Sequence, residues 1–118
     1  MPRLSKAAAQ ERKARIVALA EKRFVQNGYE QTTVDEIVKE IGLAKGTYYY
    51  HFDSKEDLMI AVSEKLILET STKLNAVYNR RDKDIVWRIR NVLKTYQDDF
   101  YRNKGIWRQV YHWRNAML

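Results

Sequence analysis

Between Lys45 and Phe52 the chain reads Lys-Gly-Thr-Tyr-Tyr-Tyr-His-Phe, a run of long polar and aromatic side chains. Neighbours on a helix lie ~100° apart, so three consecutive tyrosines cannot all face a core. Tyr48 and Phe52, four apart, are the expected inward pair, which leaves Tyr49 and Tyr50 outside. Lys45 can donate to O6 and N7 of a guanine in the major groove, and Thr47 offers a methyl for thymine and a hydroxyl for a phosphate. Gly46 removes a side chain where such a helix comes nearest the base edges. Tyr49, Tyr50 and His51 carry polar tips toward the flanking backbone. This is the chemistry of duplex recognition, in which phosphate contacts fix register and a few side chains read sequence.

The same inventory offers little to catalysis. The chain has two histidines, His51 and His112, and no cysteine. No glycine-rich phosphate loop, metal-ligand cluster or nucleophile triad can be assembled from it. Asp98 and Asp99 are adjacent and so face different directions. The chain is therefore read as a non-enzyme with no cofactor and no metal. Lack of cysteine fits a cytoplasmic protein. No apolar run approaches the ~20 residues of a membrane span, and the N-terminus has no signal-peptide core. A net charge of +7 and a pI of about 9.7 favour an acidic partner. A membrane surface would leave Tyr49 and His51 without a role.

The elements that must position these residues are helical. The chain holds one proline and four glycines, and strong helix formers dominate. Met1–Gln10 reads as a basic leader, with Arg3 and Lys6, whose alanines can extend the first helix. That helix is expected over Glu11–Asn27, with Ile16, Leu19, Ala20 and Phe24 on one stripe and Gly28 as a left-handed cap. Thr33-Val34-Asp35-Glu36 forms a capping box that opens a second helix burying Val34, Ile37, Val38 and Ile41 and ending at Gly42. Leu43 turns inward, and a short third helix covers Ala44–His51. Ser54-Lys55-Glu56-Asp57 is a second capping box. It opens a fourth helix of more than about 20 residues, with Leu58, Val62, Leu66, Leu74, Val77 and Tyr78 as core candidates. After a charged break at Asn79–Lys83, a fifth helix carries Ile85, Ile89, Val92, Leu93, Tyr96 and Phe100. A sixth begins after Gly105, with Ile106, Val110, Trp113 and Met117 on a stripe that Trp107, Tyr111 and Leu118 widen. Tyr96, Phe100, Trp107, Tyr111 and Trp113 are candidates to line part of a pocket.

Two short helices around Gly42 make a helix-turn-helix candidate, and at these residues the sequence resembles the TetR family of bacterial regulators. The resemblance runs from Ile16 to Leu58. It rests on Ile16, Ala20, Phe24, Gly28, Tyr29, Thr32-Thr33-Val34, Ile37, Gly42-Leu43-Ala44-Lys45-Gly46-Thr47, Tyr49, His51-Phe52 and Ser54-Lys55-Glu56-Asp57-Leu58. It implies an all-α chain with a three-helix DNA-binding head (residues 1–53, leader included) and a connecting helix leading into a helical effector and dimerisation domain (residues 54–118, truncated). It implies a cytoplasmic transcriptional regulator, a repressor in most members, that binds a palindromic DNA operator as a homodimer and responds to a small-molecule effector. The family's DNA contacts fall on Thr33, Lys45, Gly46, Thr47, Tyr49, Tyr50, His51 and Lys55. Two positions depart from the pattern. Asp35 stands where some members have a basic, base-reading residue, and it can accept from cytosine N4 or serve the helix dipole. Tyr48 replaces the usual aliphatic residue.

The apolar sixth helix has no stop signal, and its wide face needs a cover. The chain is accordingly expected to be a fragment lacking a C-terminal portion, the alternative being a short protein that dimerises through this face. The competing functional reading is a helical protein-interaction module without DNA binding.

Overall fold

The computed structural model describes residues 5–117. Arg3 of the basic leader and Leu118 lie outside the described residues, as does the side chain of Met117. Every regular element among the described residues is an α-helix: α1 (Lys6–Asn27), α2 (Val34–Ile41), α3 (Lys45–His51), α4 (Lys55–Tyr78), α5 (Ile85–Arg102) and α6 (Lys104–Met117). The chain divides between Val62 and Ser63 into two compact units.

In the first unit the core is built from positions spaced for it. Ile16, Val17, Ala20 and Phe24 of α1 are buried, with Ile37 and Val38 of α2, Tyr48 of α3, Phe52, and Leu58, Met59 and Val62 of α4. Val34 and Ile41, expected in this core, are only half-buried. They are the first and last residues of α2, one at each end of the helix. Helix α1 begins five residues before the expected Glu11, because Ser5 accepts from the Ala8 amide at 3.1 Å and Ala7–Ala9 propagate well.

The exit from α1 also departs from expectation. Gly28 has φ 88° and ψ 158°, a positive-φ extended conformation that is essentially restricted to glycine, not a left-handed helical cap. The chain thereby leaves α1 extended. Tyr29 folds back on Phe24, ring centroids 5.4 Å apart, and the buried Thr32 hydroxyl donates to the Gly28 carbonyl at 2.8 Å. Gly42, at φ 81° and ψ 31°, is a true left-handed cap, and Leu43 donates back to the Val38 carbonyl at 2.9 Å. This tight turn sets α3 against α2. Arg23 of α1 pairs with Glu40 of α2, its Nε donating at 2.9 Å.

In the second unit Leu66 and Ile106 are buried. The expected stripe of α5 is regular, but Ile85, Ile89, Leu93, Tyr96 and Phe100 are each about half exposed or more. On α4, Leu74 and Val77 are half-buried and Tyr78 is exposed. Asp99 is buried while its neighbour Asp98 is exposed, the divergence their adjacency requires. Around Asp99, Thr70 donates at 3.2 Å and Lys73 at 3.2 Å. Tyr96, Phe100, Trp107 and Tyr111 line a cavity of about 710 Å³ with Asp99 in its wall. Trp113, expected there, is half-buried and outside that lining. No helix among the described residues is long and apolar enough to cross a membrane.

Candidate nucleic-acid interface

Helix α3 has one fully buried residue, Tyr48. Its hydroxyl donates to the Ser54 carbonyl at 2.7 Å, and burial raises its pKa above the ordinary phenol value. Ser54 in turn caps α4, its Oγ accepting from the Asp57 amide at 3.1 Å. A tyrosine in place of an aliphatic residue therefore ties α3 to the start of α4. Phe52 lies 5.5 Å from the Tyr48 ring, and the two form the expected inward pair.

With that face fixed, Tyr49 is 46% and Tyr50 75% exposed. Lys45 and Gly46 are exposed and Thr47 is half-buried. Lys45 and Tyr49 are one helical turn apart and share a face. A Cβ at Gly46 would meet nothing within 4 Å, so the chain itself does not require glycine there.

The remaining candidates are placed less uniformly. Thr33 is exposed, and its Oγ accepts from the Glu36 amide at 3.1 Å, which leaves the hydroxyl proton for an outside acceptor. Lys55 holds its ammonium 4.0 Å from the centre of the Tyr29 ring, a cation–π seat at the start of α4. Burial, with the Glu56 carboxylate nearby, pushes the Tyr29 phenol up to about 12. His51 turns toward α1. Its Nε2 accepts from Nε of Arg12 at 3.0 Å. Lys13 lies 5.3 Å from the centre of the Phe52 ring. Burial first, then the charges of Arg12 and Lys13, lower the His51 pKa.

Sequence reasoning missed two contacts. Asp35, in the first turn of α2, pairs with Lys45, Oδ1 to Nζ at 3.0 Å, and holds the ammonium above its ordinary pKa. Arg12 of α1, singled out by no motif, bonds His51 at the end of α3. The Asp-Lys pair had a local signal in opposite charges flanking a glycine turn. Nothing in the spacing of Arg12 and His51 announces their meeting. Among the described residues no group of three or more His, Cys, Asp or Glu could hold a metal ion.

Residues 16–62 match the model of the family described as "Bacterial regulatory proteins, tetR family". The chain is 27% identical over 109 residues to the HTH-type transcriptional regulator QacR of Staphylococcus aureus, an alignment covering 80% of this chain and 58% of that protein. It is 36% identical over 66 residues to the HTH-type transcriptional regulator TtgR of Pseudomonas putida, covering 56% of this chain and 31% of the relative. Among solved structures, a TetR-family transcriptional regulator from Pectobacterium atrosepticum superposes with a TM-score of 0.76 at 27% identity, over 87% of this chain and 54% of that one. The chain thus spans little more than half the length of the longest of these matches, and less of the others.

Proposed function

Residues 16–62 belong to the TetR family of bacterial regulatory proteins, and on that premise we propose that the chain binds operator DNA through α3 as a transcriptional repressor. The observation that carries the reading is the division of α3 into a sealed face and an open one. Tyr48 is buried, while Lys45, Gly46, Tyr49 and Tyr50 face solvent together on a basic chain. Lys45 and Thr47 would contact base edges. Thr33, Tyr49, Tyr50, His51 and Lys55 would grip phosphates, and Gly46 would let the backbone come close. A single seven-residue helix offers few base contacts, so the operator would be a palindrome read by a homodimer, with half-sites about one helical turn apart. Such a regulator works in the bacterial cytoplasm.

Control would come from a small-molecule effector in the cavity of the second unit, whose volume of about 710 Å³ falls in the range of small-ligand sites. An effector that prefers the non-binding conformation releases DNA. Selection from a random DNA pool tests the function. Recovery of a palindrome is the expected result. A pool that enriches no sequence, or low-salt binding indifferent to substitution of Lys45 and Tyr49, would favour the interaction-module reading instead.

A further inference from the structure

We propose that Asp35 and Lys45 act as one unit that reads a single G·C base pair, lysine on the guanine and aspartate on the cytosine. The proposal rests on the DNA-binding reading above and adds a second element, α2, to base recognition. The two groups sit on different helices across the Gly42 turn and meet at 3.0 Å, with side chains 57% and 71% exposed for Lys45 and Asp35. An ion pair this exposed contributes little to folding. A carboxylate on a surface that must approach phosphates is repelled by them; the first turn of α2 favours an acid through the helix dipole, but Glu36 already supplies one there.

The donor and acceptor inventory supplies a reason for Asp35. An ammonium has three N–H donors. One goes to Asp35, and two remain for guanine O6 and N7. The carboxylate keeps free lone pairs, which suit the cytosine N4 amino group. Within the base pair, O6 and N4 are themselves hydrogen-bond partners. Their separation is therefore close to that between Nζ and Oδ1, and the protein pair can lie along the base-pair edge. The groove edge of G·C runs acceptor, acceptor, donor, and all three groups find a partner. On A·T the order is acceptor, donor, acceptor, followed by a methyl. With the lysine still on the purine, thymine O4 and the methyl stand where the carboxylate needs a donor, and the unit satisfies two groups at best.

The experiment is selection from a random DNA pool with the wild-type chain and with Asp35→Ala. It is followed by binding of both to the wild-type consensus and to a version with the relevant G·C changed to A·T. The wild type is expected to fix one G·C per half-site and to discriminate against A·T about tenfold. Asp35→Ala should weaken the preference at that position alone, where Lys45 still donates to guanine O6 and N7, keep the rest of the consensus, and bind unrelated DNA more tightly. An unchanged consensus and unchanged discrimination in Asp35→Ala would overturn the proposal, and so would a uniform loss across matched and unrelated DNA. Asp35→Asn, which keeps size but not charge, should fall between the two. A wild-type pool with no enriched sequence would instead overturn the DNA-binding reading itself.

Discussion

Nε of Arg12 donates to Nε2 of His51 at 3.0 Å, joining two residues 39 positions apart. The bond requires an unprotonated Nε2. Burial and the charges of Arg12 and Lys13 already hold the imidazole below its ordinary value, which is about 6.5 in an unfolded chain. As pH falls through that value the unfolded chain takes up a proton that the folded chain resists. Stability therefore declines from neutral pH downward and levels off once the folded histidine titrates as well. His51→Gln keeps an acceptor and does not titrate. The wild type should lose more of its melting temperature than His51→Gln between pH 7.5 and 5.5. Equal losses would show that the histidine carries no such linkage.

Tyr48 and Tyr50 lie two residues apart and should answer oppositely to loss of the hydroxyl. Tyr48→Phe removes the stronger of two donors to the Ser54 carbonyl, the hydroxyl at 2.7 Å, and leaves only the Leu58 amide at 3.4 Å; it should cost about 1 kcal/mol in denaturant unfolding. DNA affinity per folded molecule should not change. Tyr50 is 75% exposed, and Tyr50→Phe should leave unfolding unchanged while weakening operator binding a few-fold. A stability loss in Tyr50→Phe would mean that its hydroxyl serves the fold.

Gly46 separates folding from binding even more cleanly. It lies in α3 with open space where a Cβ would project, and its φ is not positive. Gly46→Ala should raise stability by up to about 1 kcal/mol, by reducing unfolded-state freedom and improving helix propensity. The same methyl should lower operator affinity if the backbone there meets base edges. A variant that is both stabler and at least as tight a binder would place α3 farther from the groove.

Local chemistry was legible in the sequence wherever one residue's backbone bonds decide the outcome. Thr33 and Ser54 cap as their motifs require, Gly42 takes the left-handed turn, and Tyr48 and Phe52 face inward. Prediction failed where a third group intervenes. Gly28 looks like any helix-ending glycine, yet the packing of Tyr29 on Phe24 and the Thr32 hydroxyl draw the chain into an extended exit. On the site itself, the residue types of α3 were readable, because an aromatic run must expose some of its members. The partner of Lys45 left only a local trace, opposite charges flanking the Gly42 turn, and the partner of His51 left none, since its bond to Arg12 depends on how α1 crosses α3, which residue spacing does not encode. The apolar stripe of α5 shows a further limit. Its period reveals a face, but Leu93 is 63% exposed, and period alone does not say what covers a face.

Lys45 and Lys55 carry the same charge and should play different parts. Lys55 sits over the Tyr29 ring at 4.0 Å, fixed at the start of α4, and is suited to meet a phosphate whatever the bases. Lys45 is held by Asp35 on the face that Tyr49 shares. Each phosphate neutralised adds about 0.9 to the slope of log affinity against log salt. Lys55→Ala should therefore reduce that slope by about one and weaken matched and scrambled operators alike. Lys45→Ala should leave the slope nearly unchanged and lose about tenfold on the matched operator only. Titrations of both variants on both DNAs between about 50 and 200 mM salt make the comparison. Identical slopes with identical losses would mean that both lysines meet the backbone, and that base choice at α3 lies with Thr47.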